Sequence, residues 1–331
     1  MTRRHAVTLG ALTLMTAMLA AVSLSVGPAG LGLRETWAAL IRGEGAAATL
    51  VMREIRLPRA LLAVLVGAAL GVSGAALQGY LRNPLAEPGL IGVSGAAALG
   101  AVIAIQSGLA AAFALALPLM GLAGAVVAVL LLLGLAGPRG GAFTLILAGI
   151  AISAFAGALT ALVLNLSPNP FAATEIMFWM MGSLSDRSFT HVWLAAPFVL
   201  IGLGMIATLG RGLDALTLGE DAAEALGIRL ARLRLVLVLA VAAAVGAATA
   251  VAGAVGFVGL VVPHLLRPVV GAQPSRLLLA SALGGAAMVL AADIAVRLIA
   301  PDRDLKLGVL TALVGAPFFL HLIWRTRREG L

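Results

Sequence analysis

Apolar residues run through this chain in long, nearly unbroken blocks, separated by short clusters of arginine, glycine, proline and asparagine. Cutting at those interruptions leaves about ten blocks, near residues 6–26, 60–81, 91–108, 113–136, 142–166, 191–210, 231–252, 256–269, 277–299 and 306–324. A bilayer core takes roughly 20 apolar residues as helix, so each block predicts one crossing. The blocks do not alternate apolar with polar residues, which argues against a barrel of strands. The eighth is short, lies between Gly253/Gly256 and Pro268, and contains Pro263. It predicts a broken helix packed inside the bundle, where protein rather than lipid satisfies the interrupted backbone. The first block follows Arg3 and Arg4 as a secretory signal would, but nine further blocks behind it favour a retained helix. The expectation is an all-α polytopic membrane protein with a single transmembrane domain over residues 1–331. The longest connections, 27–58 and 211–232, are too short for a separate soluble domain.

Composition narrows the class further. Apolar residues make up 62% and charged residues 11%, with a mean hydropathy of +1.11. Soluble domains carry about 45–50% and about 25%, so a cytosolic enzyme, a disordered chain and a nucleic-acid-binding domain are all excluded. The formal charge of +8 comes from 22 basic against 14 acidic residues, clustered between the blocks, and therefore bears on orientation. With the N-terminus in the cytoplasm, Arg3, Arg4, Arg82, Arg139, Arg211, Arg229, Arg232, Arg234, Arg267, Arg276, Arg325, Arg327 and Arg328 lie inside, as the positive-inside rule favours. Both termini are then expected to be cytoplasmic. Arg34, Arg42, Arg53, Arg56 and Arg59 crowd one outside segment against that rule.

The chemistry in the chain is sparse. No G-x-x-x-x-G-K-[ST] is present and the only lysine is Lys306, so the chain has no P-loop with which to cradle ATP phosphates. There is no cysteine, the four histidines are scattered, and neither H-E-x-x-H nor a paired-carboxylate signature occurs, so no metal or catalytic site is expected. Asp293 and Arg297, at i and i+4, share one helix face. His264 in GFVGLVVPHLLRP reads as a buried histidine bonded to a neighbouring helix. Gly67/Gly71 and Gly92/Ala96/Gly100 have the spacing that lets helices approach closely. The aromatic and methionine cluster at 178–182 suits either an interfacial belt or a pathway wall. A weak echo between 73–84 and 252–263, after oppositely directed blocks, suggests an inverted repeat.

Four segments carry a resemblance. IRLPRALLAVLVGAALGVSGAALQGYLRNPLAEPGLIGVSGAAALGA at 55–101, LTLGEDAAEALGI at 216–228, VAGAVGFVGLVVPHLLRPVVG at 251–271 and ADIAVRLIAPDRDLKLGVLTALVGAPFF at 292–319 resemble, in order, the FecCD/BtuC-type permease family of ABC importers. Asp304-Leu305-Lys306 stands where that family usually has Glu-Leu-Pro. The resemblance implies a type II ABC importer permease fold in the bacterial inner membrane, with two copies enclosing one pathway. It implies two separate ATP-binding subunits on the cytoplasmic face, which bind ATP and magnesium, and a periplasmic substrate-binding protein outside. No cofactor is then bound by this chain itself.

The same resemblance implies site residues. The cytoplasmic coupling loop falls at about 212–230, with Leu218, Gly219, Glu220, Asp221, Ala222, Ala223, Glu224, Ala225, Leu226 and Gly227 meeting the ATPase. Residues 220–226 are expected to be helical, with Gly227 as C-cap. Arg56 of IRLPR and Arg297 of ADIAVR are expected at the binding-protein docking surface, with Arg59 a weaker candidate; interfacial snorkelling is the alternative. An iron chelate, ferric siderophore or heme, ranks first as substrate because the iron branch is the larger part of the family, and cobalamin second. An ion-coupled secondary transporter is a distant alternative, since only Asp293 approaches lipid depth.

Overall fold

The computed structural model describes residues 3–27, 30–113, 115–137, 140–299 and 305–328, the side chains of 33, 323 and 325–328 apart. The described residues form α1 (Arg3–Ser25), α2 (Leu33–Arg42), α3 (Ala46–Leu50), α4 (Leu57–Leu81), α5 (Val93–Gln106), α6 (Leu109–Ala112), α7 (Ala116–Ala136), α8 (Ala142–Asn165) and α9 (Pro170–Met180). The second half contains α10 (Phe189–Thr208), α11 (Gly210–Leu216), α12 (Glu220–Ala225), α13 (Leu230–Ala252), α14 (Val258–Val270), α15 (Pro274–Ile299) and α16 (Leu307–Arg328). Among the described residues seven stretches are long and apolar enough to cross a membrane, and α5, α14 and α16 are shorter apolar helices that fall on three of the remaining sequence blocks. One end of the bundle carries α12; the other carries Arg56.

Burial separates centre from periphery. In their most apolar windows α4 is 83% and α13 78% buried, whereas α1, α8 and α10 are 22%, 28% and 28% buried. The central contact is α4 against α15, and small residues make it. A Cβ on Gly67 would strike the Gly285 carbonyl, one on Gly71 the Ser281 carbonyl, and one on Gly74 the Gly259 carbonyl of α14. In lipid, helix association rests on such close backbone approach, because apolar burial alone gives little preference between helix and acyl chain. Gly100 and Gly124 make the equivalent contact between α5 and α7, against the carbonyls of Met120 and Ala96. The first helix belongs to this bundle: Thr16 Oγ1 donates to the Leu283 carbonyl of α15 at 3.2 Å.

The structure differs from the sequence expectation in three places. The second crossing begins well before residue 60: α3 passes through a π-helical turn, Val51–Arg56, directly into α4. Part of the 27–58 connection is therefore the outward extension of a spanning helix. The third crossing is a shorter helix than its block of 91–108. Residues 82–92 turn back from the α12 end into the bundle, and only 14 helical residues of α5 follow. The eighth is shorter than its block and begins at Val258, after the unwound stretch 253–257. Of Asp304-Leu305-Lys306, where the chain departs from the family pattern, Asp304 lies outside the described residues, and Leu305 and Lys306 lead directly into α16.

Candidate functional site

At one end, the residues between Gly210 and Leu230 fold into a two-helix projection. Gly219, at φ +106°, turns the chain out of α11, and α12 follows with Glu220 and Asp221 in its first turn, where carboxylates complement the helix dipole. Gly227, at φ +83°, ends it: its N–H donates to Glu224 O at 2.8 Å and the Ile228 N–H to Ala223 O at 3.0 Å, the paired bonds of a Schellman cap. Leu226 stands at the C-cap position, so the helix is one residue shorter than expected. Ala223 is fully buried beneath α12, while Glu220, Asp221, Glu224, Ala225, Leu218 and Leu226 are exposed. The projection thus presents three carboxylates flanked by two bare leucines.

That projection is tied to the start of α15, and the helix that follows it to the α7–α8 connection. Asp214 of α11 accepts from the Ser275 N–H at 2.9 Å, from Ser275 Oγ at 2.7 Å and from Gln273 Nε2 at 2.7 Å, which ties it to the start of α15. Arg234 of α13, buried rather than solvated, donates to the Gly137 carbonyl at 2.8 Å and so holds the α7–α8 connection. Tyr80, Glu220, Glu224 and Arg234 line one cleft of about 340 Å³ between these elements.

At the opposite end, the three arginines singled out in the sequence come together. Arg59 Nε reaches Asp293 Oδ1 at 2.9 Å and Oδ2 at 3.2 Å, with Nη2 to Oδ1 at 2.9 Å. Arg297 Nη2 takes Oδ2 at 2.9 Å. Arg297 also donates to the carbonyls of Ser23 and Val26 at 2.8 Å each, and Arg56 Nη1 donates to the Leu24 carbonyl at 2.9 Å. The last carbonyls of α1, unsatisfied within their own helix, thus receive two guanidiniums, the arrangement the helix dipole favours. Arg56 is buried under Gly27, and its Nη2 has no acceptor among the described residues. Arg34, Arg42 and Arg53 are exposed around this cluster.

Sequence reasoning missed a third group, inside the bundle. The re-entrant 82–92 segment carries Glu87 to the start of α14, where Oε1 accepts the Phe257 N–H at 2.9 Å. Phe257 has φ +66° and packs against Gly315 of α16, well below the helix ends. Gln78, buried in α4, closes the junction: Nε2 donates to the carbonyls of Ala86 and Gly259 at 3.3 Å each, and Oε1 accepts from Arg267 Nη2 at 2.8 Å. Two half-helices, α5 and α14, each begin on a left-handed residue, Gly92 and Phe257, and of these only Phe257 falls within the segments that carry the internal echo, 73–84 and 252–263. The available signal was a lone Gln in an apolar run beside N-P-L-A-E-P-G. His264 packs edge-on against Phe318 of α16, ring centroids 5.6 Å apart, and Lys306 sits over the Phe178 ring at 5.2 Å.

Comparison with known proteins agrees with this layout. The profile of the FecCD transport family matches residues 14–325. The hemin transport system permease protein HmuU of Yersinia pestis is 38% identical over 325 residues, 97% of this chain and 96% of that protein. The vitamin B12 import system permease protein BtuC of Salmonella typhi is 38% identical over 327 residues, 98% and 97% of the two chains. A solved inward-facing structure of a metal-chelate type ABC transporter superposes with a TM-score of 0.85 at 32% identity, covering 96% of this chain and 98% of that one. A chain that crosses the membrane repeatedly but carries no nucleotide-binding motif must draw on a separate energy source, and the match supplies the reason: this chain belongs to the FecCD transport family, the membrane-spanning permease subunits of ABC importers.

Proposed function

We propose that two copies of this chain enclose one pathway for an iron chelate, a ferric siderophore or heme, in the bacterial inner membrane. Two ATP-binding subunits, holding ATP and magnesium, seat on the α12 end in the cytoplasm, where both termini of the permease also lie. A periplasmic binding protein delivers cargo to the Arg56 end. The observation that carries this reading is the division of charge between the ends: an exposed acidic helix with two bare leucines at one, a dense arginine cluster at the other. The α12 projection suits a groove contact, and the bonds from Asp214 to the start of α15 and from Arg234 of the following helix, α13, to the α7–α8 connection give nucleotide-driven closure a grip on the bundle. At the Arg56 end Arg59 and Arg297 share a single carboxylate, Asp293, while Arg56 donates to carbonyls at the end of α1 and has no carboxylate among the described residues, so the cluster keeps a positive excess toward acidic side chains on the binding protein. The free Nη2 of Arg56 is a donor that an incoming carboxylate can use once Gly27 moves aside.

For cargo, the hemin relative and the metal-chelate structural neighbour favour an iron chelate. Among the described residues no three His, Asp or Glu side chains gather around a metal-sized space, which suits passage of an intact chelate. The equally close cobalamin permeases keep cobalamin as the second reading. Uptake by liposomes carrying permease, ATPase and binding protein, with heme, a ferric siderophore and cobalamin compared in parallel, tests the assignment. ATP-dependent accumulation of an iron chelate is expected; accumulation of cobalamin alone would overturn it. Mass measurement of the complex should give two permeases and two ATPases. Arg56→Glu should weaken binding-protein association without disturbing that stoichiometry, and a carboxylate-to-arginine change on the binding protein should restore it.

A further inference from the structure

Three arginines at the α12 end take no part in the scheme above. Arg211 at the start of α11, Arg229 before α13 and Arg232 in its first turn line one cleft of about 380 Å³ together with Thr208, Ile228 and Val236. No acidic side chain lines it. Among the described residues none of the three guanidiniums makes an ion pair or hydrogen bond, whereas Arg56, Arg59, Arg234, Arg267 and Arg297 all have acceptors. The N-terminus of α13 opens into the same cleft with no side-chain cap, so its first amides add positive potential. The position gives the cleft its second property. Above it, α10 exposes Trp193, Leu200 and Ile201 along one face, and the neighbouring α13 exposes Leu235 and Leu239. A concentrated positive charge therefore sits at the foot of an exposed apolar surface.

We propose that this cleft binds the phosphodiester headgroup of an anionic phospholipid, its acyl chains lying along the α10/α13 face. A soluble anion would use the three guanidiniums and the Thr208 hydroxyl but leave the apolar face unused, and so would a carboxylate offered by the ATPase beside Gly227. Only an anionic lipid matches both halves of the site. Basic clusters of this kind near the membrane surface gain about fivefold in affinity per arginine, so loss of all three lowers affinity on the order of a hundredfold. A lipid held there braces the α10–α11 corner against α13, the frame on which α12 is mounted.

The test uses the permease with its ATPase in nanodiscs of phosphatidylcholine, titrated with a fluorescent phosphatidylglycerol and, separately, with labelled phosphatidylcholine. Saturable binding of phosphatidylglycerol is expected, with little of phosphatidylcholine, and the triple substitution Arg211→Gln, Arg229→Gln, Arg232→Gln should abolish the difference. The triple Arg→Lys variant, which keeps the charge, should retain most of the binding, and it guards against misfolding of the Gln variant. Full displacement of the lipid by millimolar inorganic phosphate would overturn the proposal in favour of a soluble anion. Unchanged lipid binding in the Gln variant, with loss of the co-purifying ATPase, would overturn it in favour of a protein contact.

Discussion

The Asp293 cluster allows a quantitative test. Asp293 is 1% exposed in its side chain, and Arg59 and Arg297 are 16% and 8% exposed. Asp293→Asn keeps the shape but removes the one charge that both guanidiniums share. Arg297 retains four other acceptors, the carbonyls of Ser23 and Val26, the Ser23 hydroxyl at 2.7 Å and the main-chain carbonyl of residue 293 at 3.3 Å. Arg59 has no acceptor besides Asp293 among the described residues, so the loss falls mainly on it. Removing one partner of a buried ion pair costs about 3–5 kcal/mol, because a desolvated charge is left behind. The substitution should therefore lower the melting temperature of the detergent-solubilised permease by about 6 °C or more, taking about 2 °C per kcal/mol for a chain of this size. Arg59→Gln should be milder, since Arg297 still neutralises Asp293. The double variant Arg59→Gln/Asp293→Asn should recover much of the loss, and the double-mutant cycle should give a coupling of about 2 kcal/mol or more. The readout is intrinsic tryptophan fluorescence or the surviving monodisperse fraction on size exclusion after heating. If Asp293→Asn melts within about 1 kcal/mol of the parent and the cycle shows additivity, the cluster is solvated and the reasoning fails.

Other consequences follow from single contacts. Gly74→Val places a side chain against the Gly259 backbone and should eliminate monodisperse protein, whereas Gly134→Ala, with open space around it, should be silent on the same size-exclusion assay. Gln78→Leu leaves Arg267 and two carbonyls of the half-helix junction without their partner, and should lower thermal stability by about 2–3 kcal/mol. Gly227→Ala meets no steric obstacle, yet its left-handed backbone costs about 1 kcal/mol, so ATPase affinity measured by titration should fall severalfold while expression is unchanged. Arg234→Gln should leave ATP hydrolysis by the complex largely intact but reduce uptake per ATP; equal loss of both would argue that Arg234 is needed only for assembly.

Much of this protein was legible in the chain because the deciding physics is local. A block of apolar residues is enough to make a crossing whatever its neighbours, so ten crossings could be counted from hydropathy alone. The short helix α12 was equally visible: Gly219 and Gly227 supply the positive-φ turns that bound it, and a cap depends only on residues a few positions apart. The Asp293–Arg297 pair followed from its i, i+4 spacing.

Tertiary structure decided what contacts what. Arg56, Arg59 and Arg297 come from helices far apart in sequence, and only the folded bundle turns them onto Asp293 and the last carbonyls of α1. The path of residues 82–92 back into the bundle was hidden because hydropathy records the polarity of a segment but not its depth. There Glu87, Gln78 and Arg267 satisfy backbone that lipid could not. Among 40 glycines the sequence could not tell Gly67, which meets the α15 backbone, from Gly134, which meets nothing. Helices in lipid associate through shape and a few polar bonds, and complementarity of shape is a property of two surfaces that no single stretch of chain contains.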